Sequence, residues 1–313
     1  MADHQHPSAP TVGGFEAGDG VSRFDYAIIT PARDEEGQLP SLAKSVLEQK
    51  VYPSRWVIVD CGSSDRTGHI AKELAGSHPW IEHLYIPGPT RPTRGGPVVE
   101  AFEAGIATLS RLPSVIAKVD ADVSIPCDYF DRLLCLFASH PDLGLAAGIS
   151  LVPAGSVLRP QRVTGTMVHA AARAYRRECL QELLPLERHL GWEHIDQLQA
   201  TNRGWRSIEV EDLFFRHLRP EGARDGDHYW VTLGATSHYL GYRPTYLLFR
   251  ALYRARRDRK ALGLIAGYAQ AALAHAPKYS DREVRMKVRE QQRISRLPHR
   301  VRELTGHAPT RRI

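Results

Sequence analysis

Short runs of apolar, largely β-branched residues recur about every 30 residues in the first part of the chain, and this spacing restricts the fold more than any other feature. The runs are YAIIT (26–30), WVIVD (56–60), HLYI (83–86) and VIAKV (115–119). Helix-like stretches lie between and after them, at 39–49, 66–77, 97–110 and 128–139. Parallel strands need long crossover connections, and a parallel sheet that is covered on both faces needs continuously apolar strands. The spacing therefore predicts an α/β domain assembled from successive βαβ units.

The second half of the chain is less regular. Its pattern predicts strands at 143–153 and 206–215, and helices at 168–184, at 195–203 and from residue 245 onward. One run in the last region, 261–276, is apolar and uncharged but too short to span a bilayer. We expect it to form a buried helix. The alternative is an interfacial helix that lies on anionic lipid.

Charge is unevenly distributed along the chain. The net charge is +6, but the segment from Arg250 to the end carries 17 Lys and Arg against 5 Asp and Glu. The preceding residues are slightly acidic, with 24 against 30. A basic segment of this kind attracts nucleic acid or an anionic membrane surface, and an arginine-rich, solvated helix face would explain it equally well.

Several classes of protein are excluded or disfavoured by what the sequence lacks. It contains no apolar stretch long enough for a transmembrane helix, and residues 1–20 do not resemble a secretory signal. The cysteines form no CxxC pair, which argues against a zinc site and favours a reducing, cytoplasmic location. Neither GxGxxG nor GxxxxGK is present, so a dinucleotide-binding fingerprint and a P-loop are unsupported.

Polar clusters follow each of the predicted parallel strands. They are TPARDEE (30–36), DCGSSD (60–65), GPTRPTRGG (88–96) and DAD (120–122). Ligands of open parallel sheets bind outside the carboxyl ends of the strands, so we expect these loops to converge on one rim.

Asp120 and Asp122 are the candidate metal ligands of that rim. Residues two apart in an extended chain face the same way, so both carboxylates can address one ion. Oxygen ligands select Mg²⁺ or Mn²⁺, which prefer one or two carboxylates together with substrate phosphate oxygens. Arg91 and Arg94 are candidate contacts for a diphosphate.

These motifs together resemble the family 2 glycosyltransferases, which have the GT-A fold. Residues 30–36 resemble the family's PxxNEE-type opening loop, VDCGSSDRT (59–67) is similar to VDDGSxDxT, and KVDADVSIPCDYFDRLL (118–134) resembles the strand that carries the metal-binding DxD. GWEHID (191–196), RGW (203–205) and HLRPEG (217–222) resemble the acceptor half of the bacterial polysaccharide-assembly members.

The resemblance implies a fold and a division into domains. The fold would be a mostly parallel sheet flanked by helices, with a C-terminal helical extension. Residues 1–22 would form a disordered tail and residues 23–245 the GT-A domain, with a nucleotide-binding half (23–125) and an acceptor half (126–245). Residues 246–313 would form a basic helical region.

The resemblance also implies roles for individual residues. The nucleotide-sugar would be held by Thr30, Pro31, Arg33, Glu35, Asp60, Arg91, Arg94, Asp120 and Ala121. Mn²⁺ or Mg²⁺ would bind Asp122 and His217. Asp196 would be the catalytic base, and Trp192 and Glu193 would lie on the acceptor side.

Two departures from the family pattern affect these expectations. Cys61 stands where the family often has a second Asp that contacts the base, which weakens a slight preference for a UDP-sugar. The acidic pair that the family has before its acceptor-side helix is reduced here to Ile195-Asp196, and Glu211-Asp212 is a competing pair.

The sequence thus predicts a metal-dependent, inverting glycosyltransferase. Its partners would be an NDP-sugar and a hydroxyl acceptor that is lipid-linked or a polysaccharide precursor, and its basic region would favour the inner face of the membrane. No nucleic acid is expected as a partner. The alternative is a nucleotide- or nucleic-acid-binding protein without transferase activity. A sugar nucleotidyltransferase is disfavoured by the acidic loop after the first strand.

Overall fold

A computed structural model describes residues 24–88, 95–154, 157–161, 167–219, 226–256, 258–293 and 295. The predicted N-terminal tail, Arg91, Arg94 and the end of the basic region lie outside the described residues. The strands are β1 (Tyr26–Ala32), β2 (Arg55–Asp60), β3 (Ile81–Tyr85), β4 (Val115–Val119), β5 (Val123–Ser124), β6 (Leu143–Ala154), β7 (Val157–Gln161), β8 (Ala172–Arg176) and β9 (Arg206–His217). The helices are α1 (Leu39–Leu47), α2 (Thr67–Ser77), α3 (Gly96–Ala107), α4 (Tyr129–Ser139), α5 (Arg177–Leu183), α6 (Trp192–Asn202), α7 (Tyr229–Tyr239), α8 (Pro244–Ala255), α9 (Gly263–Leu273) and α10 (Arg282–Gln291).

The strands form one mixed sheet in the order β3-β2-β1-β4-β8-β6-β9-β5, with β7 paired to β6. The four predicted apolar runs are β1 to β4, and they pair in parallel as expected. Beyond β4 the sheet is mixed, because β8 runs antiparallel to both β4 and β6, whereas β6 and β9 pair in parallel. The α/β class is confirmed, and the carboxyl ends of the first four strands lie on one edge.

Both faces of β1, β2 and β4 are buried, which explains why these strands are largely apolar, whereas the edge strand β3 is only partly buried. Alternate side chains enter opposite cores: Ile28 and Trp56 lie in one cluster, and Ile29 and Val57 lie in the other. Because the side chains of a strand alternate, each strand supplies apolar groups to both layers of helices.

The predicted helix at 168–184 is wrong in its first half. Ala172–Arg176 is strand β8, fully buried between β4 and β6, and only Arg177–Leu183 is helical. The sequence AARAYRRE is rich in residues that favour helices. Pairing with strands on both sides overrides that preference, because an unpaired buried backbone would lose its hydrogen bonds.

The apolar run at 261–276 contains α9, which packs closely against α7. A Cβ atom added to Gly267 would lie 1.9 Å from the carbonyl oxygen of Val231, and one added to Gly234 would lie 2.3 Å from that of Leu264. Only glycine permits so close an approach of the two helix backbones. One face of the run is therefore buried against α7, whereas Leu262 and Leu273 of the same run are 46 and 80% exposed, so the helix is half-buried.

The last helix joins the C-terminal region to α6. Tyr279, Val284 and Val288 share a buried cluster with Ile195 and Leu198 of α6. In the part of the chain that the structure describes, no helix is long and apolar enough to cross a membrane.

Candidate functional site

The loops after β1 and β2 are tied to each other by hydrogen bonds. The carboxylate of Asp34 accepts from the Ser64 backbone amide at 2.8 Å, and the Asp34 amide donates to the Ser63 hydroxyl at 3.1 Å. In the same way, Glu36 accepts from the Arg66 amide at 3.0 Å. Many of the polar groups in these two motifs therefore serve to hold the two loops together.

Thr30 and Asp60, two of the predicted nucleotide-sugar contacts, lie beneath the rim. The fully buried Thr30 hydroxyl accepts a hydrogen bond from the Trp56 indole nitrogen at 3.0 Å. The buried Asp60 carboxylate accepts from the Ser63 amide at 2.9 Å. Both side chains are thus engaged in holding the loops, and of the other predicted contacts in this loop Pro31 and Arg33 are partly exposed.

Cys61 faces the apolar interior. It belongs to the same buried cluster as Val59 and Val99, and burial raises the pKa of its thiol to about 11. The thiol therefore stays protonated and does not replace the carboxylate that the family often has here.

Four side chains from three separate loops meet beside the rim: Glu35, Asp122, His217 and Arg219, which we call the Arg219 cluster. Nη2 of Arg219 lies 2.5 and 2.6 Å from the two carboxylate oxygens of Glu35 and 3.1 Å from Oδ2 of Asp122. Nε2 of His217 lies 3.4 Å from Oδ1 of Asp122. The cluster brings together three of the predicted site residues, and Arg219 is the group that links them.

Backbone pairing brings the two halves of the Arg219 cluster together. Val123 of β5 pairs with His217 of β9, and the Leu218 amide donates to the Asp122 carbonyl at 2.8 Å. The residues that flank this short ladder are therefore held side by side, although they are distant in sequence.

The cluster keeps Asp122 ionised. Burial alone would raise the pKa of Asp122, but the hydrogen bonds and charges of His217 and Arg219 lower it to about 2. Burial opposes the charged form of His217, yet its bond to Asp122 and the nearby carboxylates raise its pKa above the usual value. The pair is thus an anionic ligand with an adjacent imidazole.

Asp120 is paired with a buried lysine. Nζ of Lys118 lies 2.6 Å from the carboxylate of Asp120 and 5.6 Å from the ring centroid of Trp192, the first residue of α6. Burial and the Asp122 charge raise the pKa of Asp120, and Lys118 opposes them. Ala121 between the two acids is buried. Lys118 therefore connects the acidic motif to the start of α6.

Trp192 is a core residue. It is 1% exposed and packs against Phe102, with ring centroids 6.5 Å apart. In the described conformation neither ring face of the indole is accessible, so Trp192 supports the acceptor side from within the core.

Asp196, the predicted base, is enclosed. It is 2% exposed, and its oxygens lie 2.9 and 3.2 Å from Nη1 of the fully buried Arg173. The Tyr175 hydroxyl donates to Oδ2 at 2.6 Å. Burial raises the pKa of Asp196 to about 6, against the opposing effects of Arg173 and Tyr175. Both oxygens already have partners, so the group cannot reach a substrate hydroxyl without breaking them.

Glu193 lies one turn earlier, at the start of α6, and its side chain is partly exposed. Its carbonyl oxygen accepts from Nη1 of Arg173 at 2.9 Å, so the same arginine that holds Asp196 also fixes this turn. In the sheet, Arg173 of β8 lies directly opposite Lys118 of the antiparallel strand β4. Glu193 is therefore a partly exposed acid that directly follows Trp192, whose ring lies near Lys118.

The competing pair Glu211-Asp212 lies on an exposed stretch of β9. The carboxylate of Asp212 is bound to Arg132 of α4 at 2.6 Å, which ties it to a different part of the molecule from α6. Its exposure and its partner give it no role in the Arg219 cluster.

The residues fit a divalent cation that takes most of its ligands from a substrate. Within the described ranges, no three side chains of His, Cys, Asp or Glu are grouped to hold a metal ion by themselves. Asp122 and His217 are adjacent, however, and two protein ligands suffice for Mg²⁺ or Mn²⁺ when phosphate oxygens complete the shell.

Sequence reasoning missed Arg219 and Arg173. Arg219 stands in the HLRPEG string, in which the resemblance indicates only His217 as a site residue. Nothing in the local sequence indicates that the guanidinium of Arg219 reaches Glu35. Arg173 was hidden in the segment that was predicted as a helix. A buried arginine on a central strand is uncommon enough to need an anionic partner, which is the signal that a correct strand assignment would have given.

Comparisons with known proteins identify similar chains. The model of the family described as "Glycosyl transferase family 2" matches residues 27–169. The polyprenol monophosphomannose synthase of Mycolicibacterium smegmatis is 30% identical over 208 residues, which are 60% of this chain and 76% of that protein.

Two solved structures resemble the fold. The mannosyltransferase PcManGT of Pyrobaculum calidifontis, solved with GDP-Man and Mn²⁺, has a TM-score of 0.53 at 16% identity. The match covers 93% of this chain and 89% of the PcManGT chain. Residues 1–349 of S. aureus TarS, solved with UDP, have a TM-score of 0.50 at 14% identity and cover 68% of this chain and 65% of theirs.

Proposed function

Because the chain belongs to glycosyl transferase family 2 and is a glycosyltransferase that uses a nucleotide-sugar donor, we propose that it is metal-dependent and inverting and that its acceptor is a lipid-linked or polysaccharide hydroxyl. The observation that carries the proposal is the pairing of Asp122 with His217 at the rim where the strands end. The division into a nucleotide-binding half (23–125) and an acceptor half (126–245) is part of the proposal. Family membership removes the alternative of a binding protein without transferase activity.

The donor diphosphate would lie at the Arg219 cluster. Asp122 and His217 would hold the cation, which would supply Lewis acidity to the leaving diphosphate. Pro31 and Arg33 would lie towards the nucleoside. Thr30 and Asp60 would act indirectly, by fixing the loops.

The base would be Glu193, in place of Asp196. A base must come within about 2.6–3.2 Å of the proton that it removes. Glu193 is partly exposed on the first turn of α6, whereas the oxygens of Asp196 are bound by Arg173 and Tyr175. Asp196 would then position the turn by holding Arg173.

The transfer would be a single displacement. The acceptor oxygen forms a bond to the anomeric carbon while the bond from that carbon to the diphosphate oxygen breaks, and the diphosphate leaves with the electron pair. The acceptor proton passes to Glu193. One base on the face opposite the leaving group gives inversion at the anomeric carbon.

A lipid-linked acceptor is supported by the polyprenol named for the Mycolicibacterium relative. The basic C-terminal region favours a location on the inner face of the membrane, where such an acceptor would lie. Attraction of a basic residue to an anionic surface contributes about 1 kcal/mol.

Calorimetric titration tests the proposal. The full chain would be titrated with UDP, GDP, CDP and dTDP, each with and without Mn²⁺. We expect one nucleotide to bind and Mn²⁺ to tighten its binding. UDP is the nucleotide that the resemblance favours, and GDP is included because the relative's product contains mannose. If the folded protein binds none of the four with Mn²⁺ present, the proposal is wrong.

Arg219 should compete with the cation for Asp122. The substitution Arg219→Ala is expected to tighten Mn²⁺ binding in the absence of nucleotide by about tenfold to a hundredfold, since a hydrogen bond to a charged group contributes about 1.5–3 kcal/mol. Electron paramagnetic resonance of free Mn²⁺ measures this directly, without any assay of activity.

The matched control for Arg219→Ala is Arg132→Ala, which breaks the comparable pair with Asp212 at 2.6 Å. This variant should leave Mn²⁺ affinity unchanged. Equal affinities in the wild type and Arg219→Ala would contradict the competition.

A further inference from the structure

We propose that the outer face of α8 is a docking surface for an anionic membrane, with lipid headgroups as the partner. The inference extends the proposed function, on which it depends only for the lipid-linked acceptor. It also moves the predicted membrane contact from the run at 261–276 to a different helix.

The outer face of α8 is apolar and exposed. Leu248, Phe249, Leu252 and Tyr253 are 46, 51, 50 and 38% exposed. Residues spaced in this way lie on one side of a helix and form a continuous patch. Large exposed apolar patches mark interaction sites, because they are unfavourable in water unless something covers them.

The inner face of α8 is also apolar, and of the two faces only this one packs against the neighbouring helices. Leu247 and Ala251 are buried and share a cluster with Leu264 of α9. The helix is therefore apolar on two opposite sides. The packing of the C-terminal helices uses one side, so the other side is available to a partner.

Charge complementarity identifies that partner. The segment 243–260 contains seven basic residues and one acidic residue, and Arg254, Arg256 and Arg259 are exposed. Leu and Phe with arginines beside them are typical of helices that lie in the headgroup region. A second copy of this chain would bring like charges together, whereas an anionic lipid surface would neutralise them.

The docking surface is connected to the acceptor side of the candidate site. The Arg243 amide, just before α8, donates to Gln292 after α10 at 2.8 Å. Gln199 of α6 donates to Tyr279, just before α10, at 2.8 Å. The C-terminal helices thus link α8 to the helix whose first turn carries Glu193, which would keep the site close to a membrane-held acceptor.

Vesicle flotation of the full chain tests the inference. At low salt, the wild type should float with phosphatidylglycerol vesicles, bind phosphatidylcholine vesicles weakly, and lose binding as salt screens the charges. The triple variant Leu248→Ser, Phe249→Ser, Leu252→Ser should bind the anionic vesicles at least about tenfold more weakly, because three exposed apolar side chains that would enter the headgroup region are lost.

The matched control replaces three apolar side chains that are exposed elsewhere, in Val157→Ser, Leu158→Ser, Leu273→Ser. It should float like the wild type. All proteins are checked by circular dichroism and by titration with the nucleotide that the wild type binds, so a failed donor site and a failed docking surface give separate results. The inference is overturned if the wild type does not float at low salt, if both triple variants lose binding equally, or if sedimentation shows that the α8 variant instead dissociates a dimer.

Discussion

The substitution Asp122→Ala is expected to reduce sugar transfer by about a thousandfold, because removing one group that stabilises charge in the transition state typically has an effect of this size. The lowered pKa of Asp122, about 2, keeps it anionic throughout the neutral range. The measurement is release of nucleoside diphosphate from the donor that the wild type binds, with a lipid extract as acceptor. Binding of the same nucleotide should also lose its dependence on Mn²⁺.

The control for Asp122→Ala is Asp212→Ala. Asp212 is exposed, is paired with an arginine, and belongs to the acidic pair that competes in the sequence. We expect wild-type transfer from this variant. Equal losses in both variants, or Mn²⁺-dependent binding that survives in Asp122→Ala, would contradict the assigned role of Asp122.

The substitution Glu193→Gln is expected to reduce kcat by about 10²–10⁴-fold, the usual contribution of a general base. The amide has nearly the shape of the carboxylate but cannot take the acceptor proton. Donor affinity, measured by calorimetry, should stay unchanged, because Glu193 would contact only the acceptor. Glu211→Gln removes an acid of the same type from an exposed stretch of β9, away from α6, and should have no effect.

The substitution Asp196→Asn separates the two assignments of the base. It leaves the buried Arg173 guanidinium without its counter-charge, and breaking a buried pair in this way destabilises a protein by about 3–5 kcal/mol. We therefore expect a lower Tm as its main effect. If Asp196→Asn is as stable as the wild type and inactive while Glu193→Gln is active, Asp196 is the base and our assignment is wrong.

Local patterns were sufficient to predict the first half of the fold. Strands β1, β2 and β4 are apolar because both of their faces are buried, and that requirement is visible in each of these strands alone. The convergence of the loops after β1, β2 and β4 also follows from local information, since parallel strands end on one edge. Asp122 could be named for this reason, whereas His217 was indicated only by the family resemblance.

Burial distinguishes the two acids of α6, and burial cannot be read directly from the sequence. Glu193 and Asp196 are three residues apart on one helix, and both are acidic, so the sequence alone does not distinguish them. Arg173 on β8 binds one of them and leaves the other accessible. Helix propensity concealed that strand, because its neighbours in the sheet, not its own residues, determine its conformation.

The sequence by itself determined the α/β class, the rim, the acidic motif and the basic C-terminal region, because each depends on the order of residues within one short segment. Only the tertiary structure decided that Arg219 reaches Glu35 across 184 residues of sequence, that α9 packs inward, and that α8 exposes its apolar face. The physical reason is that these features depend on which surfaces other segments cover. That choice is made by packing and charge pairing between residues far apart in the chain.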